Sequence, residues 1–282
     1  MAENTITLTS GMRKNLFSLQ NTSNLLERTQ KRLATGQRVN SAVDDPVNYF
    51  TALTHKQRAD DLSGRKDEMS ESVQLISSAN EGVTQITSLI ASAKSLAQSA
   101  LSGATTGEIN TLMRQYNEVL SQIDFMANDS SYKGVNLLDS TFITHTVKFN
   151  ENGSSSLTIS GFDAASLGAT LSLQTNATNA WVSAGGTADK AQINSAIARL
   201  DSARGNLRTE AQKLSTNLST ITIRQDFTQG MINTLQDGAA NLTNADMNEE
   251  GANMLMLQTR QSLGTTSLSL ASQAAQSVMR LF

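Results

Sequence analysis

The sequence predicts a mainly α-helical fold: long antiparallel helices from both termini, packed as a coiled-coil or bundle rod, with a small β-rich insert at the centre. Three observations predict it. Apolar side chains recur at three- and four-residue steps on both sides of the centre, as in helices with one buried stripe. Of 282 residues only 4% are aromatic and 38% apolar; that is too little for a thick globular interior and enough for narrow cores of Leu, Ile and Ala. Proline, the residue most strongly excluded from helix interiors, occurs once, at position 46.

Each element follows in order. Over residues 5–35, Met12, Leu16, Leu19, Ser23, Leu26, Gln30 and Leu33 fall on one a/d stripe with two polar interruptions. Gly36 sits where a left-handed residue ends a helix. Asp44, Asp45 and Pro46 follow, and Asp45 reads as an N-cap with proline in the first turn, where its missing N–H is harmless. A second stripe runs from about 46 to 101 through Leu62, Met69, Ile76, Val83, Ile90 and Ala100. A helix of that length would extend about 80 Å at ~1.5 Å per residue, typical of a coiled coil or bundle. "LSGATTGE" at 101–108 interrupts the pattern. Ile109, Leu112, Tyr116, Val119, Ile123 and Met126 then mark a third helix that ends near "NDSSYKG".

The character changes at about 138. "TFITHTVKFNENGSSSLTISGF" reads as two strands around the turn residues of "NENGSS", and "TLSLQT" as a third short strand. Trp181, the single tryptophan, is assigned a small packing role. Helical periodicity returns at about 188 and continues through Leu200, Leu207, Leu214, Ile221 and Leu235, then lapses around "QDGAANLTNAD". A last run carries Met247, Met254, Leu257, Gln261, Gly264, Leu268, Ala271, Ala275, Val278 and Phe282 in register. The organisation expected is therefore paired terminal helices (1–35 and 245–282), a linker (36–45), a helical rod (46–139 and 187–244) and a short β-rich region (140–186). Terminal stripes rich in Ala, Gly and Gln are weak without packing partners, so neighbouring copies are expected to complete them.

Catalytic and ligand chemistry is thin. With no cysteine, disulfides, thiolate metal sites and cysteine nucleophiles are excluded. His55 and His145 stand 90 residues apart without an i+4 ligand partner, and no phosphate-cradling glycine motif is present. The pairs Asp44–Asp45, Asp60–Asp61 and Glu249–Glu250 are adjacent, so on a helix they diverge by about 100° and cannot flank one bond. Neither an enzyme nor a metal or other cofactor is expected. The formal charge of -3 implies no nucleic-acid partner. No run reaches the ~18 apolar residues of a membrane span, and "MAENTITLTSGMRKN" lacks the apolar core of a signal peptide, so membrane insertion and a cleaved leader are not expected.

At this point the motifs resemble those of bacterial flagellins. "NLLERTQKRLATGQRVNSAVDDPVNYFTAL" is similar to the start of that family, and "YKGVNLLD" (132–139) to the segment that closes its N-terminal rod region. "LTNADMNEEGANMLMLQTRQSLGTTSLSLASQAAQSVMRLF" resembles its C-terminal end. The likeness covers roughly 1–139 and 188–282, in order. It implies a structural subunit of the flagellar filament, exported through the flagellar secretion channel and located in the extracellular filament. The partners implied are further copies of the chain, the export apparatus, a flagellin export chaperone, the filament cap and hook-associated proteins. It also implies that the terminal helices pair as the inner tube, so that Met12, Leu16, Leu19, Leu26 and Leu33 pack with Met254, Leu257, Leu268, Ala271, Ala275, Val278 and Phe282. Gly36, Asp44, Asp45 and Pro46 would form the helix-to-helix linker. Ser92 and Ser95 stand where the family's immune-recognition stretch carries arginine and glutamate, so recognition by the flagellin receptor is not expected. The alternative is a hook–filament junction protein, which shares both terminal motifs; Asp44-Asp45-Pro46 leans that way, while "YKGVNLLD" and the Ala-rich ending favour flagellin.

Overall fold

The computed structural model describes residues 10–102, 105–140, 142–175 and 180–279. Among them are five helices, α1 (Ser10–Thr35), α2 (Pro46–Leu101), α3 (Thr106–Asp129), α4 (Lys190–Thr243) and α5 (Met247–Met279), with strands β1 (Thr144–Lys148) and β2 (Ser156–Ser160) between α3 and α4. Three helix starts are closed by aspartate side chains, as unpaired first-turn N–H groups require. Asp45 Oδ1 accepts from Asn48 N–H at 3.1 Å, Asp189 Oδ1 from Gln192 N–H at 3.1 Å, and Asp246 Oδ1 from Asn248 N–H at 2.8 Å. At α3 a capping box forms, with Glu108 accepting from Thr105 N–H at 2.7 Å.

The chain divides into two compact units. The first comprises residues 1–57 and 234–282. Within it α1 packs along α5, and the turn between α4 and α5 is stitched to the segment after α1. Arg38 and Val39 N–H groups donate to Thr243 O at 2.7 and 3.2 Å, and Ala245 N–H donates to Gly36 O at 3.0 Å. Gly36 ends α1 at φ 69°, the left-handed region that favours glycine.

The second unit, residues 58–233, holds most of the apolar core. Ile76, Ile86 and Ile90 of α2, Met113, Leu120 and Ile123 of α3, and Leu200 and Leu207 of α4 are fully buried. The β segment joins this core. β1 and β2 pair antiparallel with Val147 opposite Leu157 and His145 opposite Ile159. Val147, Ile159, Phe162, Leu171, Leu173 and Trp181 all lie in the same cluster as the helices. Trp181 is completely buried, its ring 4.9 Å from that of Tyr116, a larger packing role than its isolation in the sequence suggests. Burial pushes the Tyr116 phenol up to about 12.

Two expectations differ from what is observed. "TLSLQT" does not form a strand. Its alternation is real, since Leu171 and Leu173 are both buried. Ser172 between them, however, adopts φ 49° and donates its N–H to Gly168 O, so the chain turns instead of extending. The helical pattern also does not lapse at "QDGAANLT": α4 continues to Thr243, and Ala239 is fully buried. Small residues there are the inward face of a helix, not a break.

"YKGV" is resolved as a tight hairpin. Tyr132 and Val135 exchange both backbone hydrogen bonds, at 2.9 and 3.0 Å. Lys133 (φ 49°) and Gly134 (φ 80°) supply the two left-handed residues of a type I′ turn.

Candidate assembly surface

The surface with the most distinctive chemistry lies on the α1–α5 pair. The inward positions of α1 are 12, 15, 19, 22, 26, 29 and 33. Met12 and Thr29 are buried; Leu19, Leu26 and Leu33 are half-buried. This stripe shares every second position with the one expected from sequence but is rotated by one residue between them. Asn15, Thr22 and Thr29 take the places assigned to Leu16, Ser23 and Gln30. Leu16 therefore lies outside the seam, 39% exposed. Apolar residues sit on two sides of α1, and a single partner helix can cover only one.

On α5, Leu257 is buried and Met254, Leu268, Ala271 and Ala275 are half-buried. The Val278 side chain and Phe282 lie outside the described residues. At Gly264 the helices pack closely: a Cβ built on it would stand 2.6 Å from Leu19 Cδ2, and Asn15 Nδ2 donates to its carbonyl at 3.4 Å. Near the linker, Arg32 Nη1 meets Glu250 Oε1 at 2.7 Å, with the Glu250 side chain only 9% exposed. In the sequence Glu250 stands out only beside Glu249, and nothing links it to Arg32. Their 218-residue separation leaves no local signal.

The linker residues are occupied with capping. Asp44 accepts from the N–H groups of Asn40 and Ser41 at 3.1 and 3.0 Å and from Ser41 Oγ at 3.1 Å. These donors, Asn40 N–H foremost, hold its carboxyl below the ordinary carboxylate range. Asp45 is lowered chiefly by the Asn48 N–H, and Pro46 opens α2.

Outward from the seam, the pair presents Leu16, Phe17 and Leu25 on α1, and Leu255, Met256, Leu263 and Leu270 on α5, at 39 to 68% exposure. Single exposed apolar residues are ordinary, but rows of them mark surfaces that bind something. Among the described residues no group of three His, Cys, Asp or Glu could hold a metal ion, and no helix is long and apolar enough to cross a membrane.

Long paired helices with their large apolar side chains turned outward define a structural, assembly-forming class of protein. Comparison with known proteins gives the family. Residues 4–142 match the family model of the bacterial flagellin N-terminal helical region. The chain is 29% identical over 284 residues to flagellin FljM of Caulobacter vibrioides, covering all of both chains. It is 26% identical over 272 residues to a flagellin of Brucella melitensis, covering 95% of each. Among solved structures it is similar to Bacillus cereus flagellin, with a TM-score of 0.46, 17% identity, and coverage of 57% of this chain and 88% of that one. The chain belongs to the flagellin family and is a structural subunit of the bacterial flagellar filament. Nothing in these comparisons favours the hook-junction alternative.

Proposed function

We propose that α1 and α5, with residues 1–35 and 245–282, are the part of the subunit that neighbouring copies cover in the filament. Residues 36–45 would serve as the linker, 46–139 and 187–244 as the rod, and 140–186 as a short region built against it. The observation that carries this reading is the set of exposed large apolar side chains, with Met256, Leu263 and Leu270 in a row on α5 beside Leu255, and Leu16, Phe17 and Leu25 spread around the uncovered sides of α1. Covering each leucine is worth roughly 1.5–3 kcal/mol. Two helices with a polar-interrupted seam gain much of their stability only once those side chains are buried, which couples folding of the ends to assembly. The same reading places the subunit in the extracellular filament. It gives the chain an export apparatus, an export chaperone, the filament cap and hook-associated proteins as partners, and no catalytic role.

The test is sedimentation of seeded polymer from purified subunit. Leu263→Gln with Leu270→Gln should raise the subunit concentration needed for growth, while the buried Trp181 continues to report a folded second unit. Polymer growth equal to that of the unaltered chain would overturn the assignment.

A further inference from the structure

The second unit carries a groove and a ridge of opposite character on different helices. The groove, of about 640 Å³, runs between α2 and α4 and is lined by Val83, Thr84, Thr87 and Ser88 on one side and by Arg204, Gly205, Arg208 and Ala211 on the other. Gly205 faces open space, where an added Cβ would meet nothing within 4 Å. Val83 is buried and Ala211 half-buried, giving an apolar floor. Arg204 and Arg208 are exposed one turn apart. Asp201 also lines the groove but is held by Lys94 Nζ at 2.6 Å; Arg204 lies 3.7 Å from it. The net character of the lip is basic.

The ridge is on α3. Glu118, Gln122, Phe125 and Asp129 follow one another at steps of four, three and four, so they share a face, and all four are exposed. Phe125 is 58% exposed, a large ring standing in solvent with an acid on either side of it along the helix.

We infer that the α3 ridge of one copy seats in the α2–α4 groove of a second copy of this chain. This rests on the filament-subunit reading and names the partner surfaces within it. Phe125 fills the space over Gly205 against Val83 and Ala211, Asp129, one turn from the ring, meets the arginine pair Arg204 and Arg208, and Glu118, two turns to the other side, extends the acidic field that faces them. Charge decides the symmetry. Groove against groove sets arginine against arginine, and ridge against ridge sets acid against acid, so a self-complementary two-fold contact is disfavoured. Groove against ridge joins two different patches, and such head-to-tail contacts propagate into open helical assemblies rather than closing as dimers.

Reciprocal charge reversal tests it. The variants Arg204→Glu/Arg208→Glu and Glu118→Lys/Asp129→Lys should each raise the critical concentration for seeded polymer growth by roughly ten-fold. An equimolar mixture of the two should grow at close to the unaltered concentration, because each reversed surface finds its complement on the other chain. Phe125→Ala should weaken growth without changing helicity. Growth of either reversed variant at the unaltered concentration, or a mixture no better than its components, would overturn the inference while leaving the filament role intact. Failure of the unaltered chain to polymerise would instead count against that role.

Discussion

Leu19 of α1 lies over Gly264 of α5 so closely that any β-carbon at 264 would stand 2.6 Å from Leu19 Cδ2. The glycine is costly in a helix interior, by roughly 0.5–1 kcal/mol relative to alanine. It stands at a point where the Leu19 side chain leaves no room for a β-carbon. Gly264→Ala gains that propensity and meets an overpacking cost of about 1–3 kcal/mol, so the net change is destabilising. Gly251, on the same helix with nothing within 4 Å of an added Cβ, lacks the opposing term, and Gly251→Ala should stabilise. Thermal depolymerisation of filaments should show opposite shifts for the two variants. Leu19→Ala added to Gly264→Ala should recover part of the loss, and a stabilising Gly264→Ala would disprove the contact.

The sequence made the helices legible because three- and four-residue periodicity survives wherever one face is buried. α2 begins at the proline and ends at the Gly-rich break, and the β hairpin follows its alternation. What was not legible depends on distant partners. Periodicity in α1 supports two phases equally, since Leu16, Phe17 and Leu25 lie off the seam that Asn15, Thr22 and Thr29 occupy. Only α5 decides between them. Leu171 and Leu173 alternate as a strand would, and the turn at Ser172 is fixed by Ser166 and Gly168, which bond to the segment. Asp124 accepts from Ser166 N–H at 2.6 Å across 42 residues, and no local pattern announces that.

Gly82 on α2 marks the corresponding close approach in the second unit. An added Cβ would run into Ser130 Oγ and stand 2.7 Å from Leu138 Cδ1. Leu138 belongs to the "NLLD" motif and is fully buried. Ser130 Cβ would also stand 2.8 Å away, and Leu138 is buried with nowhere to move, so Gly82→Ala should cost about 1–3 kcal/mol despite its better helix propensity. Denaturant unfolding followed by Trp181 fluorescence checks this; an unchanged midpoint would mean that the helix–hairpin packing is looser than described.

His145 links the β hairpin to α2 and gives the second unit a pH dependence. Ser72 Oγ donates to Glu68 O at 2.8 Å, so its 2.9 Å contact with His145 Nε2 is a bond that the imidazole N–H donates. Burial lowers the His145 pKa below its ordinary 6.5. The unfolded chain therefore binds the proton more readily than the folded one, and stability rises with pH through this window. The contribution is complete above about pH 6.5 and is lost as pH falls towards the folded value. His145→Gln should flatten the dependence of the Trp181-detected midpoint between about pH 5 and 7. A slope unchanged by that substitution would assign the effect to other groups.

Arg32 and Glu250 tie the end of α1 to the first turn of α5, next to the linker. Glu250 sits where the helix N-terminus favours negative charge, yet with its side chain 9% exposed it needs a partner. Removing Arg32 strands a carboxylate in a site with little water, whereas removing both groups leaves neither unpaired. Arg32→Met should therefore lower filament stability by about 1.5–3 kcal/mol. Glu250→Gln should cost less, because the amide can still accept from the guanidinium. Arg32→Met combined with Glu250→Leu should cost less than the sum of Arg32→Met alone and Glu250→Leu alone, the coupling expected of groups in direct contact. The depolymerisation midpoints of all four variants form the measurement. Strict additivity would show that the pair contributes nothing to holding α1 against α5, and the backbone bonds from Arg38, Val39 and Ala245 would then be the ties that fix the linker.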